Sequence, residues 1–198
     1  MELEAHHQYL KNLTRITNVL SESGNLDATL SRLMAELLDI FQVDRAWLLY
    51  PCDPSTEFWN IPVEATVPEY PGAFAIGENI PLDEGIAGMF INALSSTDPL
   101  VFDIPENTDA LAVPKRFNVR TMIVTPICPK DDNAWMLSMH QCSRNRTWTE
   151  EDKRLFKDIA LKITEMLTQR LLFKRIEDEL QLRKQTQEKL VLAKQQAE

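Results

Sequence analysis

The sequence predicts an α+β fold, in which a central antiparallel sheet is flanked by helices and continues into long helices at both ends of the chain. Amphipathic patterns with a period of 3.6 residues occupy the two ends, and short apolar runs bounded by proline, glycine and aspartate fill the middle. Two of those runs, at 121–127 and 134–140, are separated by a turn-forming segment, which predicts an antiparallel hairpin.

Residues 1–41 are predicted to form two helices. Apolar residues from Leu10 to Leu20 keep the helical period, and Gly24 with Asn25 interrupts it. The pattern resumes from Leu26 to Phe41, with Asn25 or Asp27 as the candidate cap at its start. Both helices are amphipathic and should cover an apolar surface.

The middle of the chain is predicted to alternate between strands and one short helix. Proline and aspartate end an apolar run that begins at Ala46, and acidic residues stand where the positive end of a helix dipole would lie, near Asp83. The predicted elements are strands at 46–50, 58–67 and 100–104, a helix at 83–91, and the two strands of the hairpin.

The last helix is predicted to begin at Thr149, with Asp152 completing an approximate capping box. No proline or glycine follows up to Glu198. An uninterrupted helix of this length exceeds what one globular domain uses, which indicates a coiled coil at its end.

The predicted coiled-coil seam mixes apolar and polar side chains. Its apolar members, which we expect at a dimer interface, are Phe173, Ile176, Leu180 and Leu190. Arg183, Gln187 and Lys194 fall on the same seam, and polar residues there weaken a coiled coil while restricting its register. The seam therefore suits either a helix that shifts between two states or a tail that is partly frayed.

Composition narrows the function. The formal net charge is −9, from 30 acidic and 21 basic residues, which argues against nucleic acid as a partner. The apolar runs are too short to insert into a membrane, and the first residues lack the features of a signal peptide, so a cytoplasmic location is expected. The 3 cysteines show no CxxC spacing, which disfavours a disulfide framework or a metal site.

Several short motifs in the second half give a family resemblance. Phe117-Asn-Val-Arg120, Pro126-Ile127, His140-Gln-Cys-Ser143 and Arg146-Thr-Trp148 occur in this order. The sequence thereby resembles the closing half of GAF domains in phytochromes and cyanobacteriochromes. The resemblance implies a GAF fold over residues 20–170, with an entry signalling helix at 1–19 and a coiled-coil linker at 171–198.

The sequence departs from the bilin-binding members of that family. Those members carry a Cys-His pair shortly before the Phe-x-Val motif, and residues 108–116 here contain neither residue type. No covalent bilin and no other cofactor is therefore expected, although an unidentified small molecule stays open as a ligand. Trp135 stands where the family usually has glycine, so its indole is expected to shrink a pocket or displace a neighbouring chain.

A second resemblance concerns the two ends of the chain. Residues 182–190 and 193–198 look like the linker that leads into the dimerisation helix of hybrid histidine kinases, and residues 2–10 look like a linker arriving from an upstream sensor. The resemblance implies a sensory domain of a bacterial histidine kinase, which works as a parallel homodimer. Upstream sensor and downstream kinase domains of the same polypeptide would be its partners, and this fragment itself is not expected to be an enzyme.

A ligand pocket between the sheet and the helices is the candidate functional site. Its candidate lining is Phe74, Ile86, Met89, Phe102, Phe117, Trp135, Met139 and His140. The alternative is that these residues simply fill the core. His140 with Cys142 could supply two soft metal ligands, but two ligands do not make a zinc site. A hydrogen-bonded pocket or core histidine is the preferred interpretation.

Two other functions remain open from the sequence. The chain could be a GAF domain without a ligand that serves as a dimerisation spacer, for example before a diguanylate cyclase, because such linkers also precede those domains. It could instead be a free-standing GAF methionine sulfoxide reductase, which would need reactive and suitably placed cysteines.

Overall fold

The computed structural model describes residues 2–22, 24–76, 79–104 and 116–197, and for residues 2, 75, 76 and 190–197 it describes the backbone alone. The helices are α1 (Glu2–Ser21), α2 (Leu26–Phe41), α3 (Glu84–Ser95) and α4 (Glu150–Ala197). The strands are β1 (Arg45–Tyr50), β2 (Phe58–Thr66), β3 (Ile80–Pro81), β4 (Leu100–Asp103), β5 (Thr121–Ile127) and β6 (Trp135–Gln141). A short 3₁₀ turn covers Ala73–Ile76.

The strands form one sheet of six in the order β3-β2-β1-β6-β5-β4, and every neighbouring pair is antiparallel. The predicted hairpin is confirmed as β5–β6, with Ile127 opposite Trp135 and Met122 opposite His140. Its turn contains Asp131 in the left-handed region, at φ 62°, which aspartate tolerates better than most residues. The α+β class with an antiparallel sheet is thus confirmed.

The two faces of the sheet carry separate apolar clusters. On one face α1, α2 and α4 pack through residues such as Ile16, Leu33 and Phe156. On the other face α3 packs through Ile86, Met89, Phe90 and Ala93. Successive residues of a strand point to opposite faces, so each inner strand contributes side chains to both clusters.

The helix ends follow from local hydrogen bonds. Asn25 is the residue that caps α2, because its side chain accepts from the backbone N–H of Asp27 at 3.0 Å. The predicted capping box is confirmed at the start of α4, where Thr149 and Asp152 exchange side-chain-to-backbone bonds of 3.1 Å. Asp83 caps α3 by accepting from Ile86 N at 2.8 Å. That helix continues to Ser95, beyond the predicted end at residue 91.

Helix α4 has two parts with different surroundings. Its first half is packed in the core through Phe156, Ile159 and Ile163, and burial ends at Leu167. Beyond that point the helix continues without a break, and Phe173 is 69% exposed. Ile176 and Leu180 are exposed as well, whereas the side chain of Leu190 lies outside the described part of the chain.

Helix α1 lies beside α4 and runs parallel to it. Near its start, the hydroxyl of Tyr9 donates to Asp158, and Arg154 stacks over the Tyr9 ring at 5.0 Å. Beyond its end, Arg170 donates to the carbonyl oxygens of Glu22 and Gly24 at 2.9 and 3.0 Å. Within the described ranges, no helix combines the length and apolarity that crossing a bilayer requires.

Candidate functional site

The predicted pocket residues divide between the two faces of the sheet. On β6, His140 points towards α3, whereas Met139 and Trp135 pack in the cluster under α1, α2 and α4. Residues one position apart on a strand cannot share a face. The prediction that Met139 and Trp135 line the same cavity as His140 is therefore wrong, and the Trp135 indole packs against Tyr50 at 4.7 Å instead of shrinking that cavity.

A small cavity lies between the sheet and α3. It is lined by Trp47, Leu49, Trp59, Ile86, Met89, Phe117, Met122 and His140. Four of the predicted residues, Ile86, Met89, Phe117 and His140, are thus brought together. Its volume is about 10 Å³, which is the space that one water molecule needs.

Two other predicted residues lie away from this cavity. Phe102 is half-buried on β4 and packs at the margin of the α3-side cluster. Phe74 lies in the 3₁₀ turn after β2 and its side chain is 52% exposed, so it is not a wall of the cavity. The segment without a Cys-His pair, residues 108–115, lies outside the described residues.

A buried arginine orients His140. Arg45 begins β1 and its Nη1 atom lies 3.2 Å from Nδ1 of His140. A guanidinium group can only donate, so Nδ1 accepts and the ring proton of the neutral imidazole sits on Nε2. Burial, together with the positive charge of Arg45, holds the pKa of His140 well below its ordinary value. His140 is therefore neutral at pH 7.

The charge of Arg45 is balanced by Glu64 on β2. The Nε atom of Arg45 lies 3.5 Å from Oε1 of Glu64, and both side chains are almost completely buried. Burial raises the pKa of the Glu64 carboxyl, and the Arg45 charge opposes this. Gly72 permits the arrangement, because a Cβ atom there would lie 1.7 Å from Oε1 of Glu64.

Arg45 also holds the loop that follows β2. Its Nη2 atom donates to the carbonyl oxygens of Tyr70 and Pro71, at 2.8 and 2.9 Å. Backbone carbonyls of this loop are therefore tied to the same side chain that orients His140. One buried cation thus connects the cavity, the second strand and the loop.

Two indole rings pack in series beside His140. The Trp47 ring meets the His140 ring edge to face, with centroids 4.7 Å apart and planes at 69°. Trp59 meets Trp47 in a similar way at 6.0 Å and 75°. Such edge-to-face pairs are favoured by the ring quadrupoles, so the three rings form one packed cluster.

A second buried carboxylate fixes the end of β6. Asp44 accepts from the backbone N–H groups of Cys142 and Ser143, at 2.6 and 2.8 Å, and from the amide of Gln141 at 2.6 Å. Burial alone would raise the pKa of Asp44, but these bonds outweigh it and hold the pKa below its ordinary value. Asp44 therefore has a structural role beside the site, because it fixes the backbone at the end of β6.

The cysteines show no sign of activation. Burial raises the pKa of Cys52 to about 12 and that of Cys142 to about 11, and it also raises the pKa of the exposed Cys128. Because the thiolate is the reactive form, these surroundings disfavour thiol chemistry. Among the described residues, no group of three or more His, Cys, Asp or Glu could hold a metal ion.

Comparisons with known proteins agree with this architecture. Residues 25–165 match the family profile described as GAF domain. The phycoerythrobilin-bound GAF domain of a cyanobacterial phytochrome superposes with a TM-score of 0.69 at 18% identity, covering 85% of this chain and 99% of that one. No curated protein sequence gives a significant match.

Two further solved structures are similar to this chain. A GAF domain of a candidate sensor histidine kinase from Pseudomonas syringae pv. tomato has a TM-score of 0.61 at 11% identity, and it covers 88% of this chain and 97% of that one. The GAF domain of a phosphoenolpyruvate-protein phosphotransferase from Coxiella burnetii has a TM-score of 0.67 at 14% identity, with coverage of 85% and 98%. At these identities the similarity shows a shared fold.

Proposed function

Since this chain belongs to the GAF domain family, we propose that it is the sensory or regulatory domain of a bacterial histidine kinase and relays its signal as a parallel homodimer. Its structural neighbours include GAF domains of a phytochrome and of a candidate sensor kinase. The same polypeptide would supply an upstream sensor and the downstream kinase domain, in line with the linker-like sequences at both ends.

The observation that carries the proposal is the continuity of α4. The helix is anchored in the core through Phe156, Ile159 and Ile163 and then extends, without a break, past the last buried residue. A displacement of the anchored half is therefore transmitted to the extended half. The extended half is where an output domain would be attached.

The extended half carries apolar residues that a second copy would cover. Phe173, Ile176 and Leu180 are exposed and recur at the spacing of a coiled-coil seam. A single helix leaves these side chains in water, so pairing in parallel with the same helix of a second copy would bury them and stabilise the extended half. Arg183, which pairs with Glu179 of its own helix at 2.6 Å, interrupts the seam.

A polar interruption suits a relay, because signalling needs two states that differ little in free energy. The input would reach α4 through α1, which is fastened to it at Tyr9–Asp158 and at Arg170. A change in α1 would thus bias the rotation or register of the seam beyond Phe173.

The dimer is tested with a double substitution, Phe173→Asp and Ile176→Asp, compared with Leu182→Asp. Leu182 is equally exposed on the same helix but lies off the seam. We expect sedimentation equilibrium to show a dimer for the wild type and for Leu182→Asp, and a monomer for the double variant. The circular dichroism of the core should be the same in all three. A wild-type monomer at high micromolar concentration would refute the proposed relay.

A second candidate is a GAF domain without a ligand, acting only as a dimerisation spacer. The small cavity volume of about 10 Å³ favours it, since a tetrapyrrole or nucleotide needs far more room. The dimer experiment does not distinguish a sensory domain from a spacer without a ligand, because both are dimers. Saturable binding of a small molecule would favour the sensory domain. The raised pKa values of the three cysteines give no support to the methionine sulfoxide reductase alternative.

A further inference from the structure

The turn between β5 and β6, residues 128–134, is attached to α4 where that helix leaves the core. The backbone N–H of Lys130 donates to Oγ1 of Thr168 at 3.1 Å. The guanidinium of Arg175 donates to the backbone oxygen of Asp131 and lies 3.8 Å from the carboxylate of the same residue. The β5–β6 turn therefore contacts the beginning of the extended half of α4.

The contacts with the β5–β6 turn and with α1 lie on different sides of α4. Arg175 follows Thr168 by about two helical turns, so both side chains lie on one side of the helix. Arg170, which binds the residues beyond the end of α1, lies about 200° around the helix from Thr168. Phe173 and Ile176 of the seam lie between these two directions, at about 140° and 80° from Thr168. The helix is therefore held from two sides, and its seam faces the gap between them.

The β5–β6 turn is also tied to the end of β1. Nδ2 of Asn133 donates to the hydroxyl of Tyr50 at 3.3 Å. The backbone N–H of Cys52 donates to the carbonyl oxygen of Ala134 at 2.7 Å. β1 and β6 pair directly in the middle of the sheet. A rearrangement of the central strands thus reaches α4 through the turn, without passing through α1.

We propose that the β5–β6 turn is a second input to the seam and sets the rotation of the extended half of α4 according to the state of the sheet. The inference deepens the relay proposed above, and for its role in signalling it rests on that proposed function. α1 and the turn act on the same stretch of helix from two sides. A change in either contact therefore favours a different rotation of the seam.

The strength of these contacts suits an element that changes state. The side chains of Arg175 and Asp131 are 56% and 62% exposed. An exposed ion pair alters an equilibrium by only about 2- to 5-fold, so it can break and form again as the helix rotates. The first half of α4 is different, because its buried apolar contacts hold a single arrangement. The weak attachment thus begins where the buried contacts end.

A turn that only supports the helix would behave differently from a turn that transmits a change. With simple support, a substitution on the sheet side of the turn and one on the helix side act independently, and their effects add. With transmission, the sheet-side substitution affects α4 only while the attachment to α4 is intact. A double-mutant cycle therefore separates the two roles.

The test uses the full chain and amide hydrogen exchange measured by mass spectrometry. Tyr50→Phe alters the sheet side, and Tyr50 has no hydrogen bond or ring contact with α4 within the described ranges. Thr168→Val combined with Arg175→Gln removes the attachment on the helix side. Thr164→Val combined with Lys174→Gln is the matched control, because the Thr164 hydroxyl donates within its own helix and Lys174 is an exposed neighbour of the same charge.

We expect Tyr50→Phe to speed exchange at 168–176 by about 2- to 5-fold, the size of one exposed polar contact. This effect should persist in the matched control and vanish when Thr168 and Arg175 are both replaced. It should also persist in Arg170→Ala, which loosens α4 on its other side and so shows that exchange is not already at its limit.

Unchanged exchange at 168–176 in Tyr50→Phe would overturn the inference. An effect of equal size with and without the attachment would overturn it as well, because the turn would then only support the helix. Sedimentation of the seam variants tests the homodimer independently of these measurements. A monomeric wild type would refute the relay, whereas the exchange cycle would still decide whether the turn couples the sheet to α4, so the two proposals fail separately.

Discussion

The Nη1 atom of Arg45 lies 3.2 Å from Nδ1 of His140, and both side chains are buried. A permanent cation in direct contact with an imidazole fixes the neutral tautomer and opposes protonation of the ring. The folded state holds the pKa of His140 well below 6.5. At mildly acidic pH this imidazole is therefore protonated in the unfolded chain but stays neutral in the folded chain. Protonation therefore favours the unfolded state there.

The first prediction concerns His140→Gln. The wild type should lose stability as the pH falls below about 6.5, by at most about 1.4 kcal/mol per pH unit from this residue. Glutamine cannot titrate but can still accept from Arg45, so the variant should lack this slope. Urea unfolding between pH 7.5 and 5 measures the difference, with the exposed His6→Gln as control. If the free energy of unfolding changes with pH equally in the wild type and in His140→Gln, the lowered pKa of His140 in the folded state is contradicted.

The second prediction concerns Asp44→Ala. The substitution leaves the backbone N–H groups of Cys142 and Ser143 without their acceptor. We expect a loss of roughly 2–6 kcal/mol at pH 7, from an unsatisfied-donor penalty of about 1–3 kcal/mol for each of the two groups. Asp39→Ala removes an exposed bond to Arg15 and should cost less than about 1 kcal/mol.

The same pair of variants gives a pH dependence with a definite sign. The pKa of Asp44 is lowered by folding, so its contribution is present above the ordinary carboxyl pKa and is lost as the pH falls through the folded value. The stability gap between the wild type and Asp44→Ala should therefore narrow below about pH 4. A stability difference between the two proteins that stays constant down to pH 2 would show that the hydrogen bonds of Asp44 do not depend on its negative charge.

The third prediction compares two glycines. A Cβ atom at Gly72 would lie 1.7 Å from Oε1 of Glu64, so Gly72→Ala must displace that carboxylate from Arg45. We expect a loss of about 1–3 kcal/mol. Gly88 in α3 has open space around its Cβ position, so Gly88→Ala should stabilise the chain by about 0.5–1 kcal/mol through helix propensity. Thermal melts of both variants check the expected opposite signs.

The sequence predicted the positions of helices and strands better than it predicted which face of the sheet each side chain occupies. Apolar runs and turn residues act locally, and so they were enough to place the β5–β6 hairpin and the Thr149 cap. The pocket assignment erred on β6, because Met139 and His140 are adjacent and must point to opposite faces. Strict use of that alternation would have removed Met139 and Trp135 from the pocket.

The charged centre could not be predicted from local patterns. Arg45 precedes an apolar run and looks like the solvated start of a strand, and Glu64 stands in a less regular run on the next strand. They meet only because β1 and β2 pair antiparallel, with Trp47 opposite Glu64. Trp47 and Trp59 were not predicted as cavity residues for the same reason. For Trp47 the sequence did contain a usable pattern, because alternate residues of a strand share a face: Trp47 and Leu49 lie on the α3 side, and Ala46 and Leu48 lie on the other side.

The last prediction concerns the fastening of α1 to α4. Arg170 donates to the carbonyl oxygens of Glu22 and Gly24, just beyond the end of α1. A cation at this end also stabilises the helix dipole. Arg170→Ala should raise amide hydrogen exchange in the last turns of α1 and leave β5 and β6 protected, with a global loss of only about 0.5–1 kcal/mol. Arg183→Ala is the matched control, because Arg183 contacts only Glu179 of its own helix among the described residues.

Hydrogen exchange measured by mass spectrometry separates the outcomes. If α1 and α4 move as one unit, Arg170→Ala should change hydrogen exchange in α4 near residue 170 as well as in α1. Arg183→Ala should leave the exchange of both helices unchanged in this region. Faster exchange confined to α1 would mean that the Arg170 contact holds α1 without transmitting its motion. Unchanged exchange in both helices would mean that Tyr9 and the apolar contacts of Ile16 hold α1 without help from Arg170. The relay then would have to start at the other end of the helix pair, where Tyr9 meets Asp158.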